Sequence, residues 1–362
     1  FTSRKIAEPN LLKWLDLVAL GTVCDLVPLR GLNRAFVSQG LKVAHRRKNV
    51  GIAALSEIAK IDEKINCYHI GFLIGPRINA GGRIGESSLG SNILIADDKI
   101  EAQSYAAKLD FLNRERQKIE QHVFAEANDQ IVKAGKDKAA LALASSDWHP
   151  GVLGIVASRL KEIYNKPVCL FSIDKKTAKG SGRSVSGFDL GSTVIAARQK
   201  GLLSNGGGHA MAAGMTIDVN KIKEFEDHLI SSFLKSRESE GEGEYYIDGI
   251  LDINGANLSL LDQLEKLSPF GMGNPQPRFI LNKVKIVKPE VVGQNHIRCI
   301  LAGFSGGSLK AIAFNCVERN LGKELLQSRS LLCNIAGYLK GNFWQGKQTA
   351  QFIIEDLSTA HN

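Results

Sequence analysis

The sequence predicts an α/β protein of several domains that ends in a small all-β barrel, and three observations carry that reading. First, AALALAS (139–145), GVLGIVASRLKEIYN (151–165) and PVCLFSI (167–173) run strand, helix, strand, which implies a parallel pair in an α/β layer. Second, residues 97–134 hold one long, charged stretch with apolar residues at helical spacing. Third, beyond residue 246 the texture changes to short alternating strands separated by Gly, Asn and Ser.

Taken in order, NLLKWLDLVALGTVCDLVPL (10–29) starts as an amphipathic helix that breaks at Gly21 and ends at Pro28. Residues 33–60 read as helical, and 97–134 as a spacer helix stopping at Gly135. VIAARQKG (194–201) and KIKEFEDHLISSFLKS (221–236) supply further helices. SRESEGEGEYY (236–246) is polar, acidic and glycine-punctuated, as a linker is. FILNKVKIV, HIRCILAGF, LKAIAFN, LLCNIAGYL and TAQFIIEDL then give five strands, the number of an oligonucleotide-binding (OB) barrel. The expected organisation is therefore four segments: 1–96, 97–134, 135–236 and 246–362.

Composition narrows the function classes. The formal net charge of +9 is spread along the chain rather than held in a tail, and it suits an anionic partner such as nucleic acid. No apolar run reaches the length of a membrane span, so no membrane partner is expected. Cys24, Cys67, Cys169, Cys299, Cys316 and Cys333 are scattered without any C-x-x-C pair, which excludes a zinc ribbon or disulfide scaffold and fits a reducing cytoplasm.

Five stretches carry candidate chemistry. GGGHAMAAG (206–214) places Gly206, Gly207 and Gly208 beside His209; glycines let consecutive N–H groups face one anion, and an imidazole can donate to a phosphate oxygen. In KGSGRSVSGF (179–188), Ser181 and Arg183 flank Gly182, bringing a hydroxyl and a planar guanidinium toward one small acceptor. SDWHPGVLGIVASRL (146–160) puts Trp148 and His149 at the positive start of a helix. GPRINAGGRIGE (75–86) holds Arg77, Asn79 and Arg83 in what reads as a glycine-dense loop, without the Gly-Lys-Ser/Thr ending of a P-loop. GTVCDLVPL (21–29) places Asp25 where an apolar helical segment breaks, a costly place to bury a carboxylate without a partner. Each stretch also has a plain reading, as a packed turn, a helix entry or a cap.

In this order the five stretches resemble the DHH phosphoesterase superfamily, and within it the single-strand-specific exonucleases. GTVCDLVPL is similar to the last metal-ligand motif of the DHH domain, and GPRINAGGR to the arginine motif that closes that domain. WHPGVLGIVASRL, GSGRS and GGHAMAAG resemble the motifs of the associated DHHA1 domain. SPFGMGNPQPRF (268–279) resembles the entry to the family's OB barrel. The resemblance implies that 1–96 is the C-terminal part of a DHH domain, 97–134 a connecting helix, 135–236 a DHHA1 domain and 246–362 an OB-fold nucleic-acid-binding domain.

It implies further a 5′-to-3′ exonuclease on single-stranded DNA in repair and recombination, using Mn²⁺ or Mg²⁺ in a two-metal site, with single-strand-binding protein and a helicase as partners. Asp25 is then a metal ligand and catalytic, Arg83 steadies the scissile phosphate, Ser181 and Arg183 grip the terminal 5′-phosphate, and His209 completes that pocket. Asn79, Trp148 and His149 support the cleft, and the Gly206–Gly208 loop holds the substrate phosphate. In the barrel, Phe270, Phe304, Phe314, Tyr338, Phe343 and Trp344 are stacking candidates, Trp344 foremost, with Lys340, Lys347 and Arg298 for the backbone. The sequence departs from the family in holding no Asp-x-Asp or Asp-His-His, so this chain alone is not expected to assemble two metals. Two other readings stand beside the exonuclease: a non-catalytic single-strand-binding remnant, and a DHH-type oligoribonuclease or phosphodiesterase, which the β-rich end disfavours.

Overall fold

A computed structural model describes residues 8–135, 137–237, 245–293, 295–304, 306–328, 331–344 and 347–360, with the backbone alone for Phe343 and Trp344. Most of the linker expected at 236–246 lies outside these residues. The described chain divides into two compact units. One takes in residues up to 46, a short piece at 63–71, and everything from 243 on; the other takes in 47–62 and 72–242.

The first unit opens with α1 (Leu15–Cys24) and α2 (Gly31–His45) packed together. Their contact is close because Gly40 lacks a side chain: a Cβ there would sit 2.1 Å from the Leu15 carbonyl oxygen. Contrary to the sequence reading, α1 does not break at Gly21 but continues to Cys24, where Asp25 caps it through its N–H to the Gly21 and Val23 carbonyls.

The second unit holds α3 (Val50–Ile58), α4 (Gly75–Ile84), α5 (Leu89–Ile95) and α6 (Lys99–Ala134). The helix expected over 33–60 is thus two, interrupted where Arg47 takes a positive φ and Asn49 caps α3 by accepting from the Ile52 N–H. The glycine-dense stretch 75–86 is likewise helical rather than a loop. Pro76 suits the first turn, and Gly81 and Gly90 let α4 and α5 approach closely. α6 packs on α3, α4 and α5 and buries Ala102, Ala106, Leu109, Val123, Ala127 and Ile131, so it is built into this unit rather than spanning free solvent.

After α6 comes a five-stranded sheet made of β1 (Leu141–Ser145), β2 (Val168–Asp174), β3 (Thr177–Arg183), β4 (Asn205–His209) and β5 (Ala212–Asp218), in the order β1-β2-β3-β5-β4. β1 and β2 are parallel and joined by α7 (Leu153–Tyr164), the strand–helix–strand unit read from the sequence; the other pairings are antiparallel. α7 covers one face, packing Val152, Leu153, Val156, Ala157 and Leu160 with Leu141, Leu143, Val168 and Leu170. α8 (Leu190–Gln199) and α9 (Ile222–Arg237) supply Leu190, Val194, Ala197, Phe225, Leu229 and Phe233 to the core on the other face, with Cys169, Phe171, Ala213, Met215 and Ile217 of the sheet.

The first unit resumes with the two-residue β6 (Gly249–Ile250), α10 (Leu258–Glu265), β7 (Phe279–Val292), β8 (His296–Ala302), β9 (Ser308–Ala313), α11 (Asn320–Gln327), β10 (Leu332–Trp344) and β11 (Lys347–Thr359). The sheet order β10-β11-β9-β8-β7, with β10 also pairing β7, closes a five-stranded barrel around Leu281, Ile297, Leu301, Ala311, Ile335 and Phe352. The SPFGMGNP segment before the barrel docks on the α1–α2 turn, where the Leu29 N–H donates to the Met272 carbonyl at 2.6 Å and Arg30 Nε to Gly273 at 3.2 Å.

Candidate functional site: a glycine-floored shelf on the second unit's sheet

The register of β3, β5 and β4 builds the site. Ser181 pairs with Gly214, and Gly214 with Gly207; two residues along, Arg183 pairs with Ala212, and Ala212 with His209. Directly opposed residues share a face, and alternate residues share it too. Ser181, Gly214 and Gly207 therefore form one row, and Arg183, Ala212 and His209 the next, on the face that α7 covers only in part. A Cβ at Gly207 or Gly214 would meet nothing within 4 Å, so the two glycines leave a bare floor beside a hydroxyl, a guanidinium and an exposed imidazole.

The intervening row, Gly182, Ala213 and Gly208, faces the other way into the core. A Cβ at Gly182 would lie 2.8 Å from Leu190 and 2.9 Å from Cys169 Sγ, and one at Gly208 2.3 Å from the Ala212 carbonyl. Gly206 closes on Val194 in the same way. This corrects the sequence reading twice. The three glycines are an edge strand without positive φ rather than an anion-cradling loop, and Gly182, Gly206 and Gly208 serve packing.

The start of α7 meets this shelf. A Cβ at Gly154 would fall 2.8 Å from Arg183 Nη2 and 2.9 Å from Ser181 Oγ, so both side chains occupy the space that glycine leaves. Arg183 Nη1 donates to the Gly182 carbonyl at 2.9 Å and, weakly, to Ser181 Oγ at 3.4 Å. Arg83, exposed at the end of α4, donates through Nη1 to the Gly151 carbonyl at 3.1 Å. Two arginines from distant sequence positions thus reach the turn 151–154. Burial lowers the pKa of Arg183 from the usual arginine value, and the positive charge of Arg83 lowers it further. Among the described residues neither arginine has a carboxylate within salt-bridge distance.

The remaining predicted residues divide clearly. His149 caps the turn, its Nδ1 accepting from the Gly151 N–H at 3.1 Å, which leaves Nε2 as the protonated nitrogen of the neutral ring. Trp148 is only 2% exposed, its indole N–H donates to Glu126 at 2.8 Å, and it packs with Val123, Leu143 and Val152; it holds the turn from below and offers no face to a ligand. Asn79 is exposed on α4. Arg77, the other arginine of that stretch, is bound to Asp110 at 2.9 Å and to the Leu73 carbonyl at 2.7 Å. Gly154 and Gly214 lie within the stretches 146–160 and 206–214 but are not singled out by the sequence, although period-two alternation through GSGRS and HAMAAG carries part of the signal.

In the other unit, Asp25 is an exposed carboxylate at the C-terminal cap of α1, so it carries no burial cost. Among the described residues no group of three or more His, Cys, Asp or Glu side chains is placed to hold a metal ion. A lone carboxylate does not fit a pair of divalent cations, which need several oxygen donors.

On the barrel, Phe304 and Phe314 are exposed, Phe314 edge-on to His296 at 5.2 Å. Lys340 lies over the Tyr68 ring at 5.2 Å, and Lys347 is exposed. Phe270 and Tyr338 are half-buried. Arg298 is paired with Glu290 at 2.6 Å, so its guanidinium is already engaged. The side chains of Phe343 and Trp344 lie outside the described residues. No helix among the described residues is long and apolar enough to cross a membrane.

Known proteins resemble this chain in both sequence and fold. Residues 136–235 match the DHHA1 domain family and residues 247–356 the RecJ OB domain family. The single-stranded-DNA-specific exonuclease RecJ of Dickeya dadantii is 35% identical over 99% of this chain, as is that of Escherichia coli. The chain is similar to RecJ along nearly its whole length. It spans 63% of the length of each of these two RecJ relatives. The crystal structure of RecJ from Thermus thermophilus in complex with Mg²⁺ superposes with a TM-score of 0.82 at 29% identity, covering 98% of this chain and 53% of that one. A RecJ structure bound to manganese covers 66% of this chain and 60% of its own, with a TM-score of 0.54 at 33% identity.

Proposed function

We propose that this chain is the end-binding and strand-guiding part of a single-stranded-DNA-specific exonuclease acting 5′ to 3′ in DNA repair and recombination. The observation that carries it is the register that sets Ser181, Arg183 and His209 around the Gly207–Gly214 floor, with Gly154 admitting both side chains at the start of α7. A terminal phosphate fits this chemistry. Arg183 and Arg83 balance its charge, Ser181 and His209 donate to its oxygens, and the missing side chains leave room for the nucleotide behind it. Recognising an end rather than an internal phosphodiester gives exonucleolytic polarity. The barrel's exposed aromatics and lysines suit a single strand, each stacked base contributing roughly 1–3 kcal/mol.

The reading assigns 1–96 to a DHH domain, 97–134 to its connecting helix, 135–236 to DHHA1 and 246–362 to the OB fold. It places the protein in the cytoplasm, with single-strand-binding protein and a helicase as partners. It takes Mn²⁺ or Mg²⁺ as the cofactor, as the solved relatives' complexes with Mg²⁺ and Mn²⁺ suggest, and Asp25 as one ligand. The other ligands are not among the described residues of this chain. That observation favours a second reading, single-strand binding without catalysis. The closed barrel argues against an oligoribonuclease of the same superfamily.

The test is a fluorescence titration of single-stranded oligonucleotides bearing a 5′-phosphate or a 5′-hydroxyl, with a matched duplex, at several salt concentrations. Preference for the phosphorylated single strand, weakening with salt, is the expected result. Equal affinity for duplex and for hydroxyl ends would refute the end-binding assignment. Metal-dependent shortening of the same strands separates nuclease from binder.

A further inference from the structure

The shelf has a further row, beyond the residues read as binding the strand's end. Two residues before Ser181, Lys179 pairs with Thr216, and Thr216 pairs in turn with Asn205 of β4. Side chains two apart along a strand share a face, so this row lies on the face of Ser181, Gly214 and Gly207, about 7 Å from them. Lys179 and Asn205 are exposed and Thr216 is half-buried. The glycine floor therefore lies between two polar rows, with Arg183 and His209 on one side and Lys179, Thr216 and Asn205 on the other.

This further row is a set of donors. Lys179 brings an ammonium with three N–H bonds and no acceptor, and Thr216 brings a hydroxyl. Asn205 Oδ1 already accepts from the Gly206 N–H at 2.9 Å, which leaves the NH2 end of its amide to donate. Among the described residues the lysines in ion pairs are Lys118, Lys138 and Lys223, so the Lys179 charge is not spent on a carboxylate. Acids enter this face one row further on, where Thr177 pairs with Asp174 and Asp218. The Asp218 carboxylate accepts from the Asn220 N–H at 3.0 Å. The Lys179 row is thus the last on this face that favours an anion.

A phosphate held by Ser181 and Arg183 leaves its nucleoside over the glycine floor. One row, about 7 Å along the strand, is a step of the order of one nucleotide in an extended single strand. We propose that Lys179, with Thr216 and Asn205, binds the phosphodiester that follows the first nucleotide, so that the shelf holds two successive phosphates and fixes the register of the strand between them. This rests on the reading of Ser181 and Arg183 as the terminal-phosphate pair. A lysine that only adds to the general positive field would instead strengthen the binding of every strand alike.

The experiment measures the affinity of the whole chain for a short 5′-phosphorylated oligothymidylate, without divalent metal so that no strand is cut. Two companion strands carry an uncharged methylphosphonate, one at the first linkage and one at the third, and a 5′-hydroxyl strand reads the terminal phosphate separately. The proteins are the wild type, Lys179→Gln and Thr216→Val, with melting curves for each. The wild type is expected to bind the first-linkage methylphosphonate about tenfold more weakly than the unmodified strand. Lys179→Gln should lose about tenfold on the unmodified and third-linkage strands and nothing on the first-linkage strand. Thr216→Val should show the same pattern with a smaller loss, and it decides the matter should Lys179→Gln fail to fold. Equal losses on all three phosphorylated strands, or none, overturn the inference, as does a wild type indifferent to the first-linkage methylphosphonate. A wild type indifferent to the 5′-phosphate refutes the terminal pair instead, and a loss confined to the first linkage in Lys179→Gln would still support this row.

Discussion

Gly154 and Arg183 are in contact across the start of α7: the guanidinium fills the volume that a side chain on residue 154 would need. Ser181 Oγ lies in the same gap. A helix glycine, costly by propensity, therefore sits where it makes room for the pair proposed to bind phosphate.

This relationship separates stability from function. Gly154→Ala gains up to about 1 kcal/mol of helix propensity, and the atoms it meets are the ends of side chains that can move. The melting temperature should hold or rise, while affinity for a 5′-phosphorylated strand drops about tenfold against the hydroxyl control. Unchanged phosphate affinity would show that Ser181 and Arg183 do not need their present positions.

Gly151→Ala should behave in the opposite way. Its Cβ would sit 2.2 Å from the Arg83 backbone carbonyl oxygen, and backbone cannot step aside as a side chain can. We expect a loss of several kcal/mol, about the upper range of single substitutions. Gly82→Ala, on α4 with nothing within 4 Å, should be neutral or stabilising by about 0.5–1 kcal/mol. Denaturant titration of the pair measures both.

Asp110 joins Arg77 at 2.9 Å and Arg114 at 2.6 Å, and its side chain is nearly fully buried. Asp110→Ala leaves the largely buried Arg77 without its counter-charge and should cost about 3 kcal/mol, whereas Arg114→Ala, at the exposed end, should cost about 0.5 kcal/mol or less. Equal losses for the two would contradict the burial argument.

Burial pushes the Cys169 thiol up to about 12, and burial together with the neighbouring Cys316 pushes Cys299 to the same value. A raised folded-state pKa means that the native protein holds its protons longer than the unfolded chain. These contributions are fully present below the unfolded thiol value, near 9, and are lost as pH climbs toward 12. Stability should therefore be flat in this respect up to about pH 9 and fall above it. Iodoacetamide at pH 8 should label these two cysteines only as fast as the protein unfolds, which mass spectrometry of the alkylated peptides can follow; prompt labelling would contradict their burial.

Much of this protein was legible in one dimension. The strand–helix–strand unit around α7, the long helix before it and the five barrel strands follow from hydrophobic periodicity, and the order of five short motifs points to the family. What periodicity misjudged were glycines. In 75–86 and 206–208 their density suggested loops, yet one stretch is helix α4 and the other edge strand β4, because tertiary packing against α5, α8 and β5 rewards the absent side chains. Local composition reports that a backbone comes close to something, not what it approaches. The pairing of Ser181 with Gly214 and Gly207, and of Arg183 with His209 across Ala212, was decided only by strand register, since residues far apart in sequence share a face through hydrogen bonds that no local pattern encodes. The residues of the candidate site were thus written in the sequence; which of them share the open face and which face the core was settled by the sheet.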